Sequence, residues 1–95
     1  MSRFQIAHVR EQGQDMIIVP LDRSYGNKSN QEQAQIKNAI QLSASAAGLA
    51  GTVVPVWDAG AGRMAFIAPS PWHRFFQSLS LPVVGRMINR ELICS

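Results

Sequence analysis

Residues 15–21 read Asp15-Met16-Ile17-Ile18-Val19-Pro20-Leu21 (DMIIVPL), the most strand-like run in the chain. A strand with one wet face alternates apolar and polar residues, because successive side chains point to opposite faces. This one is apolar at both parities. It is therefore expected to be a central strand, covered on both sides. Pro20 has no N–H to donate, so it belongs near the strand's end.

The segment before it, FQIAHVRE (residues 4–11), sets Phe4, Ile6 and His8 on one face and Gln5, Ala7 and Val9 on the other. With the turn at Gln12-Gly13-Gln14, the two segments are expected to form a hairpin. Downstream, RSYGNK (23–28) is a loop. Ser29-Asn30-Gln31-Glu32 then has the form of a capping box, in which the serine oxygen accepts from the Glu32 N–H and the glutamate reaches back to Ser29. Ile36, Ile40 and Ala47, joined by Ala39, Leu42 and Ala46, recur at helical spacing. Gly48 stops the helix in a left-handed conformation, and Leu49 folds back in the Schellman manner.

TVVPVW (52–57) and RMAFIA (63–68) read as a second pair of strands joined through DAGAG (58–62). In PSPWHRFF (69–76), Ser70 offers a cap and Pro71 suits a first helical turn. Trp72, Phe75, Phe76 and Leu79 fall at i, i+3, i+4 and i+7, which makes an inward apolar stripe and turns His73 and Arg74 outward. The tail, SLPVVGRMINRELICS (80–95), has two readings. Leu81, Val84, Ile88 and Leu92 fit a helix, the preferred reading, while a strand near Met87–Cys94 is the other. The expected fold is a single compact α+β domain over residues 1–95. Its sheet is small and mostly antiparallel, in ββαββ order, with one long capped helix and a helical C-terminal region. If the tail is a strand, residues 15–94 take the ferredoxin-like order.

Ninety-five residues form a thin core. The apolar fraction, 46%, is ordinary, but the charged fraction, 16%, lies below the usual share of about a quarter. A small chain with few charges commonly hides apolar surface against another copy, so a homodimer is the default expectation. Cys94 is the single cysteine, which leaves no intramolecular disulfide and no cysteine metal site. There is no signal-peptide pattern and no apolar run long enough to span a bilayer. The economical expectation is a reduced, cytoplasmic protein without cofactor, metal or membrane partner.

The net charge of +3 is unevenly placed. Up to residue 60, Arg3, Arg10, Arg23, Lys28 and Lys37 cancel Glu11, Asp15, Asp22, Glu32 and Asp58. Beyond it, Arg63, Arg74, Arg86 and Arg90 face Glu91 alone. These four arginines are the candidate surface for nucleic acid or an acidic partner. On a helical tail, Arg86, Asn89 and Arg90 would share one face. The aromatic stacking platforms of an RNA-binding sheet are mostly missing: MIIVPL has none, and residues 63–68 offer only Phe66.

The loop before the long helix is a second candidate. Arg23, Ser24, Tyr25, Lys28 and Ser29 flank a helix N-terminus whose free N–H groups favour an anion, although it lacks the glycines of a phosphate loop. For catalysis, His8, Asp15, Asp22, Ser24, Tyr25, Asp58 and His73 are the available groups. Asp22 and Asp58 both follow strand ends and could converge, but no catalytic motif ties any of them together. The expected function is binding or assembly through protein contacts. Nucleic-acid binding is the alternative, and a small enzyme or anion-binding protein using the 22–29 loop is the second alternative.

Overall fold

The computed structural model describes residues 2–94. Five strands form one mixed sheet: β1 (Ser2–Glu11), β2 (Gln14–Pro20), β3 (Thr52–Gly60), β4 (Arg63–Phe66) and β5 (Arg90–Cys94). Their order in space is β4-β3-β2-β1-β5. Three neighbouring pairs are antiparallel, and β2 runs parallel to β3. The helix α1 (Asn30–Ala46) makes the crossover between the parallel strands. Two short helices, α2 (His73–Gln77) and α3 (Leu81–Met87), lie between β4 and β5 in the chain.

The tail is both of the things its sequence suggested. Leu81–Met87 is helical, and the chain then turns into β5, so Leu92 belongs to a strand and not to a helical stripe. The resulting sheet is not the split ferredoxin-like arrangement. There, another strand lies between the two parallel ones; here β2 and β3 are direct neighbours, with Ile17 opposite Val53 and Val19 opposite Pro55. The N-terminal strand β1 occupies the place between β2 and β5.

Both faces of β2 are covered. Ile17 and Val19 join Ile6, Val53, Leu92 and Cys94 under Ile40 and Ala44 of α1. Met16 and Ile18 join Ala7, Val54 and Val56 under Phe76 and Val84 of the short helices. Strand alternation thus sorts one central run into two cores, one per face.

The long helix begins and ends as local chemistry dictates. Ser29 Oγ accepts from the Glu32 N–H at 3.1 Å, and Glu32 Oε1 accepts from the Ser29 N–H at 3.3 Å. At the other end Gly48 has φ +81°, its N–H donates to the Ser45 carbonyl, and Leu49 N–H donates to the Ala44 carbonyl at 3.0 Å. Those two bonds are the Schellman pair. The buried face is narrower than the apolar residues imply. It centres on Ile40 and Ala44, while Ala39, Ala46 and Ala47 are exposed and Leu42 is 73% exposed.

Polar side chains share the inner side of α1 because each pins a loop. Gln41 donates to the Gly51 carbonyl (3.0 Å) and accepts from the Val53 N–H (2.8 Å), which fixes the entry to β3. The Gln33 side chain donates to the Tyr25 carbonyl at 2.9 Å and pins the loop there.

Candidate functional site

The 22–29 loop is a closed structural unit. Asp22 accepts from the Ser24 N–H at 3.0 Å and caps a short 3-10 turn over Arg23–Asn27. Hydrogen bonds from Ser24, side chain first and backbone second, hold the Asp22 carboxyl below its ordinary value. Tyr25 is buried. Its hydroxyl donates to the Gln33 carbonyl at 2.7 Å, Gln33 returns a bond to the Tyr25 carbonyl at 2.9 Å, and burial pushes the phenol's pKa up. The Tyr25 ring meets Trp57 edge-on with centroids 5.0 Å apart.

These contacts divide the expected anion site. Arg23 lines a polar cavity of about 250 Å³ with Gly26, Asn27, Trp57 and Asp58. Ser24, Tyr25 and Lys28 line a separate, mainly apolar cavity of about 330 Å³ with Phe4, Leu21 and Ile36. Ser29 is engaged by Glu32, whose carboxyl is held low by the backbone and hydroxyl of Ser29. The helix N-terminus therefore already carries a native carboxylate, which is where an anion would sit. Arg23, Ser24, Tyr25, Lys28 and Ser29 are not brought to one point.

The four C-terminal arginines are dispersed as well. Arg63 opens β4 at one edge of the sheet and Arg90 opens β5 at the other. Four inter-strand gaps separate those edges, about 19 Å. Arg74 and Arg86 lie on α2 and α3, in the layer opposite α1. The expected face of Arg86, Asn89 and Arg90 does not form, because α3 ends at Met87. Asn89 instead bonds β1: its Oδ1 accepts from the His8 N–H and its Nδ2 donates to the His8 carbonyl, both at 2.9 Å.

The candidate acid–base groups are occupied by local structure. Asp58 accepts from the Gly60 N–H at 2.7 Å, so it and Asp22 each serve their own turn. His8 Nε2 lies 2.8 Å from the Ala50 carbonyl and donates to it. His73 Nε2 lies 2.9 Å from the Ala68 carbonyl, and its ring stacks edge-on against Phe66. His73 is thus tethered, although it stays exposed. Asp15 faces Arg10 across the hairpin at 3.8 Å, an exposed pair of small worth. Among the described residues no three His, Cys, Asp or Glu side chains converge as a metal cluster would require. No helix of the described residues is long and apolar enough to cross a membrane.

The PSPWHRFF stretch lines the largest of these cavities. It starts as one 3-10 turn (Ser70–Trp72) and continues as the five-residue α2, shorter than a helix running on to Leu79. The aromatic stripe does point inward. Phe76 is fully buried against Phe66 and Phe75, while Trp72, Phe75 and Leu79 pack at the margin of that core. Trp72, Phe75 and Pro71 form one wall of an open cleft of about 350 Å³. Met16 and the hairpin residues Glu11, Gln12 and Gln14 form the other.

Sequence reasoning missed this juxtaposition, since Glu11 and Trp72 are far apart in the chain and nothing local links them. It also missed the free edge of β5, which pairs with β1 on one side only and carries Ile93, 50% exposed. No protein-family model, curated protein or solved structure gives a significant match to this chain.

Proposed function

We propose that the protein is a non-enzymatic binding and assembly module that associates with a second copy of itself through the outer edge of β5. The observation that carries this reading is the unpaired edge with its exposed Ile93. Edge strands present a row of free N–H and C=O groups, and proteins usually blunt them with charge, proline or a covering element. Both edges of this sheet bear an arginine at the strand start, but only β5 bears a large exposed apolar side chain; β4 has none. The short helices pack on the central strands, and Ile93, on the face away from α1, is left outside their core.

Antiparallel pairing of β5 with its own copy is self-complementary, as a two-fold axis requires. A five-residue edge makes a modest interface, so the expected dissociation constant lies in the range of about 1–100 µM. Light scattering after size-exclusion chromatography at roughly 200 µM loading, followed by dilution, tests it. Ile93→Lys is expected to abolish the dimer. Leu42→Glu removes a more exposed apolar side chain on the outer side of α1, away from the edge, and is expected to leave the dimer intact. A strictly monomeric wild type, or a dimer indifferent to Ile93→Lys, would defeat the proposal.

A further inference from the structure

We infer that the cleft between the β1–β2 hairpin and α2 is a recognition site for the arginine side chain of a partner peptide. The inference stands apart from self-association, since the cleft involves neither β5 nor its edge.

Three features of the cleft converge. The first is aromatic surface that is neither buried nor free. Trp72 and Phe75 are half-buried, and Phe75 is held edge-on against the buried Phe76 at 5.2 Å, so its exposed part is presented by a fixed ring. The second is a carboxylate of the right aspect. Glu11 shares its parity with Ala7 and Val9, which pack in the core on the α2 side of the sheet, and it lines the same cleft as the two rings. It is the one charged residue among the lining side chains, and among the described residues it makes no ion pair.

The third feature is the geometry of the tight hairpin turn beside it. Gln12 and Gly13 have φ of +50° and +77°, the two-residue turn that matches strand twist, with Glu11 paired to Gln14. Gln12 and Gln14 add amide donors and acceptors beside the carboxylate.

Aromatic faces beside a single unpaired anion attract an organic cation. A guanidinium fits better than an ammonium here. It is planar, stacks on Trp, and forks onto a carboxylate with two parallel hydrogen bonds, whereas an ammonium is a strongly hydrated point charge. The neighbouring cations do not compete for Glu11. Arg10 projects to the opposite face by strand alternation and pairs with Asp15, and Arg74 is absent from the lining.

The probe is the blocked tripeptide acetyl-Gly-Arg-Gly-amide, titrated into ¹⁵N-labelled protein. The readout is the indole N–H resonance of Trp72, with that of the buried Trp57 as internal reference. Saturable movement of the Trp72 signal alone is expected, with a dissociation constant on the order of 1 mM. The peptide with citrulline in place of arginine should bind at least tenfold more weakly, and Glu11→Gln should weaken the arginine peptide by about as much. The variant's remaining amide spectrum, unchanged beyond the hairpin, verifies its fold. An unmoved Trp72 signal, an equal response to the citrulline peptide, or full binding by Glu11→Gln would overturn the site. Equal affinity for the lysine peptide or for tetramethylammonium would overturn its assignment to arginine.

Discussion

Asn89 should be the fastening of the last strand, and replacing it gives a measurable test of how β5 is held. The residue lies just before β5, where Arg90 pairs with Ile6. Its main-chain N–H donates to the Ile6 carbonyl at 3.1 Å. Its side-chain amide then gives and takes one hydrogen bond each with the His8 main chain, both at 2.9 Å. The side chain thereby mimics one more rung of the ladder between β1 and β5. Asn89→Ala deletes that rung and leaves the Ile6 bond in place. Each lost hydrogen bond is worth about 0.5–1.5 kcal/mol net, and because water can reach His8 once the amide is gone, the lower half of that range applies. The expected loss is roughly 1–2 kcal/mol, which for a domain this size lowers Tm by about 4–16 °C.

Urea unfolding followed by circular dichroism measures it, at low protein concentration so that the proposed self-association adds nothing. The midpoint should fall with the slope unchanged, since no surface is newly exposed. Asn89→Asp separates this account from a loss of volume. Aspartate keeps the acceptor for the His8 N–H but sets an oxygen against the His8 carbonyl, so at neutral pH it should be no more stable than the alanine variant. On acidification the protonated carboxyl regains a donor, and the gap to wild type should narrow. An alanine variant within about 0.3 kcal/mol of wild type would refute the reasoning.

Two further outcomes are expected. Glu32 and Asp22 both have carboxyls held below their ordinary values of 4.5 and 3.8, Glu32 by Ser29 and Asp22 by Ser24. Their stabilisation is complete above those values and is lost as pH falls through the lowered ones; acid titration of Glu32→Gln should show a flatter loss of stability below about pH 4.5 than wild type shows. Gly26 lies against the Trp57 indole, where an added Cβ would sit 2.5 Å from Nε1. Gly26→Ala should cost about 1–3 kcal/mol by overpacking, read by chemical denaturation, and should alter the Trp57 indole N–H signal while leaving that of Trp72 in place.

Legibility in the sequence followed the range of the interactions. The capping box at Ser29 and Glu32 and the Schellman end at Gly48 and Leu49 are each settled within six residues, so their spacing alone announces them. The double-sided burial of β2 was equally plain, because a run apolar at both parities has one stable use. The exposed side of α1 was not. Alanine suits either side of a helix, and the inner side holds Gln33 and Gln41, whose amides tie down loops. That left Leu42 to be counted inward when it points to solvent.

The tail failed for a related reason. Leu81, Val84, Ile88 and Leu92 keep helical spacing across a helix that stops at Met87, while Leu92 and Cys94 keep strand spacing after it. Convergence of residues distant in the chain was beyond sequence reasoning altogether. Arg63 and Arg90 share a sign and a segment, but the order β4-β3-β2-β1-β5 sends them to opposite edges.

The two proposed surfaces have a common physical origin in the unequal covering of the sheet. On one face, seventeen residues of α1 form a rod of about 25 Å, longer than the distance of about 19 Å across five strands. It contacts both β3 and β5. On the other face, the five residues of α2 and the seven of α3 span only about 7 and 10 Å. They bury Phe76 and Val84 over the central strands and reach neither the hairpin tip at one end nor Ile93 at the outer edge. Trp72 of the preceding 3-10 turn and Phe75 of α2 are left at the margin of that core, lining one cleft with Glu11, and no β5 residue joins the core on that face. On the proposed readings the cleft and the edge act separately: Ile93→Lys should leave arginine binding unchanged, and Glu11→Gln should leave the proposed dimer unchanged.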